Sequence, residues 1–184
     1  MDYYESVVID YLRADRALFV NTECCIQISP GHNPDKGNKG THWYCDAVVA
    51  DFRSETVFLC EISYSRTLAA LIERLNSWND NWEGIRVALA RESALREDWL
   101  VRLRPWLFVP SREGCVPETG PDHRQLLAAL SRLGNGSPKF TPRITPLEMV
   151  QPWRYCSWDR SGEIECCPRH KCTKPEWVPE AMAK

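Results

Sequence analysis

Two apolar runs, Trp43 to Phe52 and Thr56 to Tyr64, are separated only by Arg53-Ser54-Glu55, and this spacing constrains the fold more than any other feature of the chain. Each run is apolar at both alternating sets of positions, the pattern of a strand covered on both faces. A break of three residues can only reverse the chain, so the runs predict an antiparallel hairpin in the interior of a sheet. Such a sheet needs helices on both sides, and the flanking sequence supplies them. Tyr4, Val7, Val8, Tyr11 and Leu12 recur at helical spacing up to about Asp15, with Asp2 and Glu5 placed as a capping box. Ala17 to Ile28 is rich in strand formers and stops at Ser29-Pro30-Gly31. Beyond the hairpin, Leu68, Leu71, Ile72, Leu75 and Trp78 predict a second helix. Ile85 to Ala90 and Trp106 to Val109 read as a fourth and a fifth strand, with a short helix over 94–103 between them. A further helix is expected from about Pro121, with Gly134 at its end.

The resulting order, α-β-β-β-α-β-α-β-α over residues 1–134, predicts one α/β domain: a central mixed sheet of about five strands flanked by helices. Residues 135–184 are punctuated by proline and carry Trp153, Tyr155, Trp158 and Trp177. They are expected to form an irregular Pro-, Trp- and Cys-rich extension packed back on the domain. No apolar run approaches the roughly 20 residues that cross a bilayer, so no membrane partner is expected. The net charge is −2, which removes any global attraction to a polyanion and leaves nucleic-acid contact to a local patch. The N-terminus lacks the basic start and apolar core of a secretory signal. Nine cysteines, odd in number and irregular in spacing, fit a reducing compartment better than a disulfide framework, and the expected location is cytoplasmic.

The hairpin carries the candidate chemistry. With a tight turn centred on Ser54-Glu55, Arg53 faces Thr56 and Asp46 falls opposite Ser63. Alternation then puts Asp46, Glu61 and Ser63 on one face, with Asp46 diagonal to Glu61 at roughly 7–8 Å between backbones. Two carboxylates so placed can share a hard divalent cation, which takes oxygen ligands and keeps open positions for water and a phosphate oxygen. A plainer reading stands beside this one: Asp46 bonded to a neighbouring backbone, Glu61 paired with an arginine.

Cys45-Asp46 and Glu61-Ile62-Ser63, on consecutive strands after a helix and a first strand, resemble the two halves of the PD-(D/E)XK motif of the restriction-endonuclease-like nucleases. The resemblance spans about residues 1–110. It implies a restriction-endonuclease-like core and Mg2+- or Mn2+-dependent hydrolysis of phosphodiesters, with DNA as the nucleic-acid partner. Asp46 and Glu61 would be the metal ligands, and Glu5 would match the first-helix acid that some branches add. Two positions depart from the pattern: Cys45 replaces the proline and Ser63 the lysine. A serine hydroxyl brings no positive charge to an attacking water or to the transition state. Lys39, with Lys36 and Arg66, is a candidate for a relocated cation. The competing expectation is a non-catalytic module that binds nucleic acid or protein on a nuclease-like fold, as in a mobile-element or defence system, with a homodimer or another protein as partner.

Two other clusters are weighed. Cys156, Cys166, Cys167, His170 and Cys172 supply enough donors for a structural Zn2+ but lack paired C-x-x-C knuckles, so reduced cysteines in a coil rank ahead of zinc. His42 and Cys45, three apart in sequence, define no nucleophile–base geometry by themselves.

Overall fold

The computed structural model describes residues 3–28, 42–65, 68–93, 95–110 and 128–151. Its centre is a five-stranded mixed sheet whose spatial order, β1-β2-β3-β4-β5, is the chain order. Strands β1 (Leu18–Gln27), β2 (His42–Asp51) and β3 (Thr56–Ile62) form an antiparallel meander. β4 (Arg104–Val109) and β5 (Arg143–Pro146) then add in parallel. Helix α1 (Tyr3–Arg13) covers one face through Val7, Val8, Ile9 and Leu12, packed with Ala47, Val49, Phe58, Cys60, Trp106 and Phe108. Helices α2 (Ala69–Asp80), α3 (Trp82–Glu92), α4 (Glu97–Leu100) and α5 (Leu133–Gly136) cover the other, meeting Val48, Ala50, Val57, Leu59 and Leu107. This is the layered α/β architecture expected from the doubly apolar hairpin, with five strands of the sheet among the described residues.

Three expectations are corrected. Ile85–Ala90 is not a strand but lies inside helix α3. Trp82, Ile85, Ala88 and Leu89 are buried at helical intervals, while Val87 is 57% exposed. The β-branched residues favour a strand locally, but β3 and β4 are parallel, so the chain must cross back between them, and helices packed on the sheet provide the crossing. α3 also lies close against β1: a Cβ added to Gly84 would come within 3.1 Å of Ile28 Cγ2.

The segment from 135 onward, expected to be irregular, contributes the fifth strand. Phe140, Leu147 and Val150 are buried there. Prolines are compatible with β5 because it is short and lies at the sheet edge. Buried Asn79 on α2 accepts from the Lys139 backbone N–H at 2.8 Å and so ties the approach to β5 to the helical layer.

The hairpin register is the third correction. The strands separate at Asp51↔Thr56, leaving a four-residue loop in place of a tight turn on Ser54-Glu55. Asp51 closes it: its carboxylate accepts from the Arg53 N–H at 2.9 Å and from Ser54 Oγ at 2.7 Å, the side-chain turn that aspartate favours. Phe52 leaves the strand, 62% exposed, with its ring edge-on to Trp99 at 5.1 Å. Glu55 takes the left-handed region at φ 51°. Glycine removes the roughly 1–2 kcal/mol that this conformation costs an L-residue but brings about 0.5–1 kcal/mol of extra unfolded-chain entropy and loses the exposed ion pair with Arg102, so Glu55→Gly should stabilise the fold by about 0.5 kcal/mol. Urea midpoints compare the two proteins, and an unchanged or lower midpoint would show that Glu55 bears no strain.

Candidate functional site

The register shift moves the pairing by two residues and therefore preserves the alternation of side chains where Ala47–Asp51 pairs with Thr56–Cys60. Continuing one step past the last pair, Ala47↔Cys60, brings Asp46 opposite Glu61 rather than Ser63. The two acids thus lie on adjacent antiparallel strands at the C-terminal end of β3, which pairs in parallel with β4. The ends of parallel strands are where open α/β sheets place their ligand sites.

The ladder between β2 and β3 stops here for a chemical reason. Ser63 N–H donates to Phe108 O in β4 at 2.9 Å, so the preceding N–H, of Ile62, points back toward β2. It donates to Asp46 Oδ2 at 2.6 Å. The aspartate side chain thereby substitutes for a backbone carbonyl, with a charge-assisted bond, where the strands part.

Glu61 is buried, at 5% exposure. Arg74, on α2, donates from Nη1 to its Oε1, while Oε2 is buried without a hydrogen-bond partner. Burial, and then the charge of Asp46, raise the Glu61 carboxyl to about 8 against the opposing pull of Arg74. A lone carboxylate oxygen enclosed beside a second acid is costly unless a proton or a cation compensates it. Both plainer contacts, Asp46 to backbone and Glu61 to an arginine, are present; neither engages Oε2.

Arg74 is the participant that sequence reading missed. Lys36, Lys39 and Arg66, the candidates for a relocated cation, lie outside the described residues. Arg74 sits at the border of the α2 apolar stripe formed by Leu71, Leu75 and Trp78. That border position was legible; which strand residue it would meet was not. Ser63 bonds to β4 through its backbone, as above, and supplies no cation. Glu5 lies in the first turn of α1, which packs on the sheet face opposite α2. Among the described residues, no third His, Cys, Asp or Glu completes a metal-binding group with the two acids. The candidate zinc donors, Cys156, Cys166, Cys167, His170 and Cys172, are outside the described residues.

The cysteines pair differently from the weighed His42–Cys45 arrangement. Cys24 and Cys45 are cross-strand partners. The hydrogen bond to Cys45 pulls the Cys24 thiol down to about 7, and the same bond, together with burial, pushes Cys45 up. His42 Nδ1 instead lies 3.7 Å from Cys25 Sγ.

At Arg74, the start of β2 and one flank of α2 border an open cleft of about 430 Å³, lined by His42, Trp43 and Tyr44 from the strand and by Ala70, Glu73, Arg74, Ser77 and Trp78 from the helix. No family model, curated protein or solved structure matches the chain. No helix among the described residues is long and apolar enough to cross a membrane.

Proposed function

We propose that the end of β3 is the hydrolytic site of a Mg2+-dependent nuclease related to the restriction-endonuclease-like enzymes, acting on the phosphodiesters of DNA. The observation that carries this reading is the buried Oε2 of Glu61, which has no hydrogen-bond partner, on a carboxyl whose ionisation the nearby charge of Asp46 opposes. A hard cation is the ligand that such an oxygen pair fits best, with Asp46 and Glu61 as its protein ligands. When bound, it would supply Lewis-acid polarisation of the phosphodiester and a more acidic water. The α-β-β-β meander followed by a parallel strand supports the same assignment. Arg74 answers the loss of the motif lysine in part: a guanidinium beside Glu61 stabilises negative charge on the phosphate oxygens. It cannot accept a proton from water.

The second reading, a non-catalytic descendant of the same fold, is favoured by one observation. Both acids already hold protein partners, Ile62 N–H and Arg74, as they would if the ion had become dispensable. Titration with Mn2+ and a cleavage assay on single- and double-stranded DNA decide between the two. The nuclease reading expects one bound ion, and Asp46→Asn or Glu61→Gln should each lower cleavage by about 100-fold or more, given that such ions contribute several kcal/mol of transition-state stabilisation. Absence of both binding and cleavage, or equal activity in the variants, would establish the non-catalytic reading.

A further inference from the structure

We infer that Cys24 and Cys45 form a thiol oxidation site, which closes to a reversible disulfide when a hydroperoxide reaches it. The inference stands apart from the hydrolytic reading, because it uses neither a metal nor a nucleic acid.

Strand register and packing bring the two sulfurs together. Cys24 on β1 and Cys45 on β2 are direct antiparallel partners, and opposed residues of such a pair have Cα atoms about 4.5–5.5 Å apart, inside the roughly 4.4–6.8 Å that disulfides span. Backbone spacing is no obstacle. Both side chains belong to the cluster that packs against α2 and α3, together with Ile26 and Trp43, so they project from one face of the strand pair. A hydrogen bond joins the two thiols. The other two cysteines among the described residues are placed differently. Cys25 lies opposite Tyr44 and, by alternation, turns to the other face, where its Sγ is 3.7 Å from His42 Nδ1. Cys60 lies opposite Ala47 in the cluster beneath α1.

The pair divides the chemistry between an accessible and an enclosed sulfur. Cys24 is half-buried and Cys45 is 4% exposed, so an oxidant arriving from solvent meets Cys24 first. The bond to Cys45 draws the Cys24 thiol from 9.0 down to about 7, and the thiolate is the form that attacks. In the first step the Cys24 sulfur attacks one peroxide oxygen: an S–O bond forms as the O–O bond breaks, and the departing hydroxide takes up a proton and leaves as water. In the second, the Cys45 sulfur attacks the resulting Cys24 sulfenic acid. The S–S bond forms, the S–O bond breaks, and the hydroxide leaves with the Cys45 proton as a second water. Two thiols have lost two electrons, and the peroxide has gained them. A small dithiol reverses the bond by exchange. Because Cys45 precedes Asp46, the closed bond fastens β1 to the stretch of β2 that carries the acid.

The test treats the reduced full chain with one equivalent of hydrogen peroxide, blocks the remaining thiols with N-ethylmaleimide and maps the unreduced peptides by mass spectrometry. The expected result is a cross-linked peptide joining Cys24 to Cys45, lighter by two hydrogens than the sum of its parts, as the most abundant disulfide. Dithiothreitol should remove it. Cys45→Ala, which keeps a small side chain in the core, should stop the reaction at a Cys24 sulfenic acid that dimedone labels. Cys24→Ser, at the half-buried position, should lose the cross-link and leave Cys45 reduced, which keeps the inference testable if the core variant fails to fold. A bond from Cys24 to any other cysteine overturns the assignment. So does oxidation of Cys25 while Cys24 and Cys45 stay reduced, or a parent chain that halts at the Cys24 sulfenic acid.

Discussion

Between pH 5 and pH 9 the metal-free protein should lose stability that the Glu61→Gln variant keeps, a difference on the order of 3–5 kcal/mol across the range. The cause is the enclosed Glu61 carboxyl, raised from 4.5 to about 8 by burial and by Asp46. Over that interval the folded chain binds a proton that the unfolded chain releases. Stability contributed by the protonated form is complete below about pH 4.5 and is lost as pH rises through 8, with a slope of at most about 1.4 kcal/mol per pH unit. Cys24 works in the opposite sense, since its thiol is lowered from 9.0 to about 7 and favours the folded state as pH rises through that window. Both proteins share that contribution, so subtracting their urea-unfolding free energies at each pH isolates Glu61. The parent curve should fall below that of Glu61→Gln toward pH 9, and saturating Mg2+ should restore the parent by mass action if the acids hold the ion. Parallel curves would mean that Glu61 ionises freely and that its Oε2 is not enclosed.

Trp106→Ala should cost about 3–5 kcal/mol, the range for removing a large aromatic from a closed core. Trp106 is wholly buried in β4. Its ring lies 5.0 Å from that of Phe58 and 5.1 Å from that of Phe108, with the Arg143 guanidinium 3.8 Å above it. Its Nε1–H donates to Thr145 Oγ1 at 2.8 Å. Arg143 and Thr145 belong to β5, so one side chain packs the α1 face and also holds the edge strand. Trp106→Phe keeps most of the packing but strands the Thr145 hydroxyl and should cost less, about 1–3 kcal/mol. Hydrogen exchange should then report faster opening of β5 than of β2 or β3. A loss below about 1 kcal/mol for the alanine variant would show that the sheet edge is secured by other contacts.

These two residues also mark how far the sequence could be read. Glu61 was legible as half of an acid pair because alternation with period two is a property of any extended chain, and an even shift of register preserves it. Its direct opposition to Asp46 was not legible. That depended on Asp51 capturing Arg53 and Ser54, a local competition between two ways of turning that apolar patterning does not rank. Trp106 was recognisable as a strand residue, but its dependence on β5 was hidden because a four-residue edge strand ending in proline has little pattern of its own. Ile85–Ala90 is a short apolar run that satisfies both periods; the parallel direction of β4 relative to β3 makes it part of a helix.

The sequence by itself determined a layered α/β domain and brought attention to two acids at one end of its central hairpin, because burial on both sides of a strand is written in the order of residues. Only the tertiary structure decided that Arg74 meets Glu61 and that Oε2 is enclosed where the charge of Asp46 reaches it. Those relations join strand to helix across the chain, and the packing of α2 against the sheet sets them through contacts that no local spacing encodes.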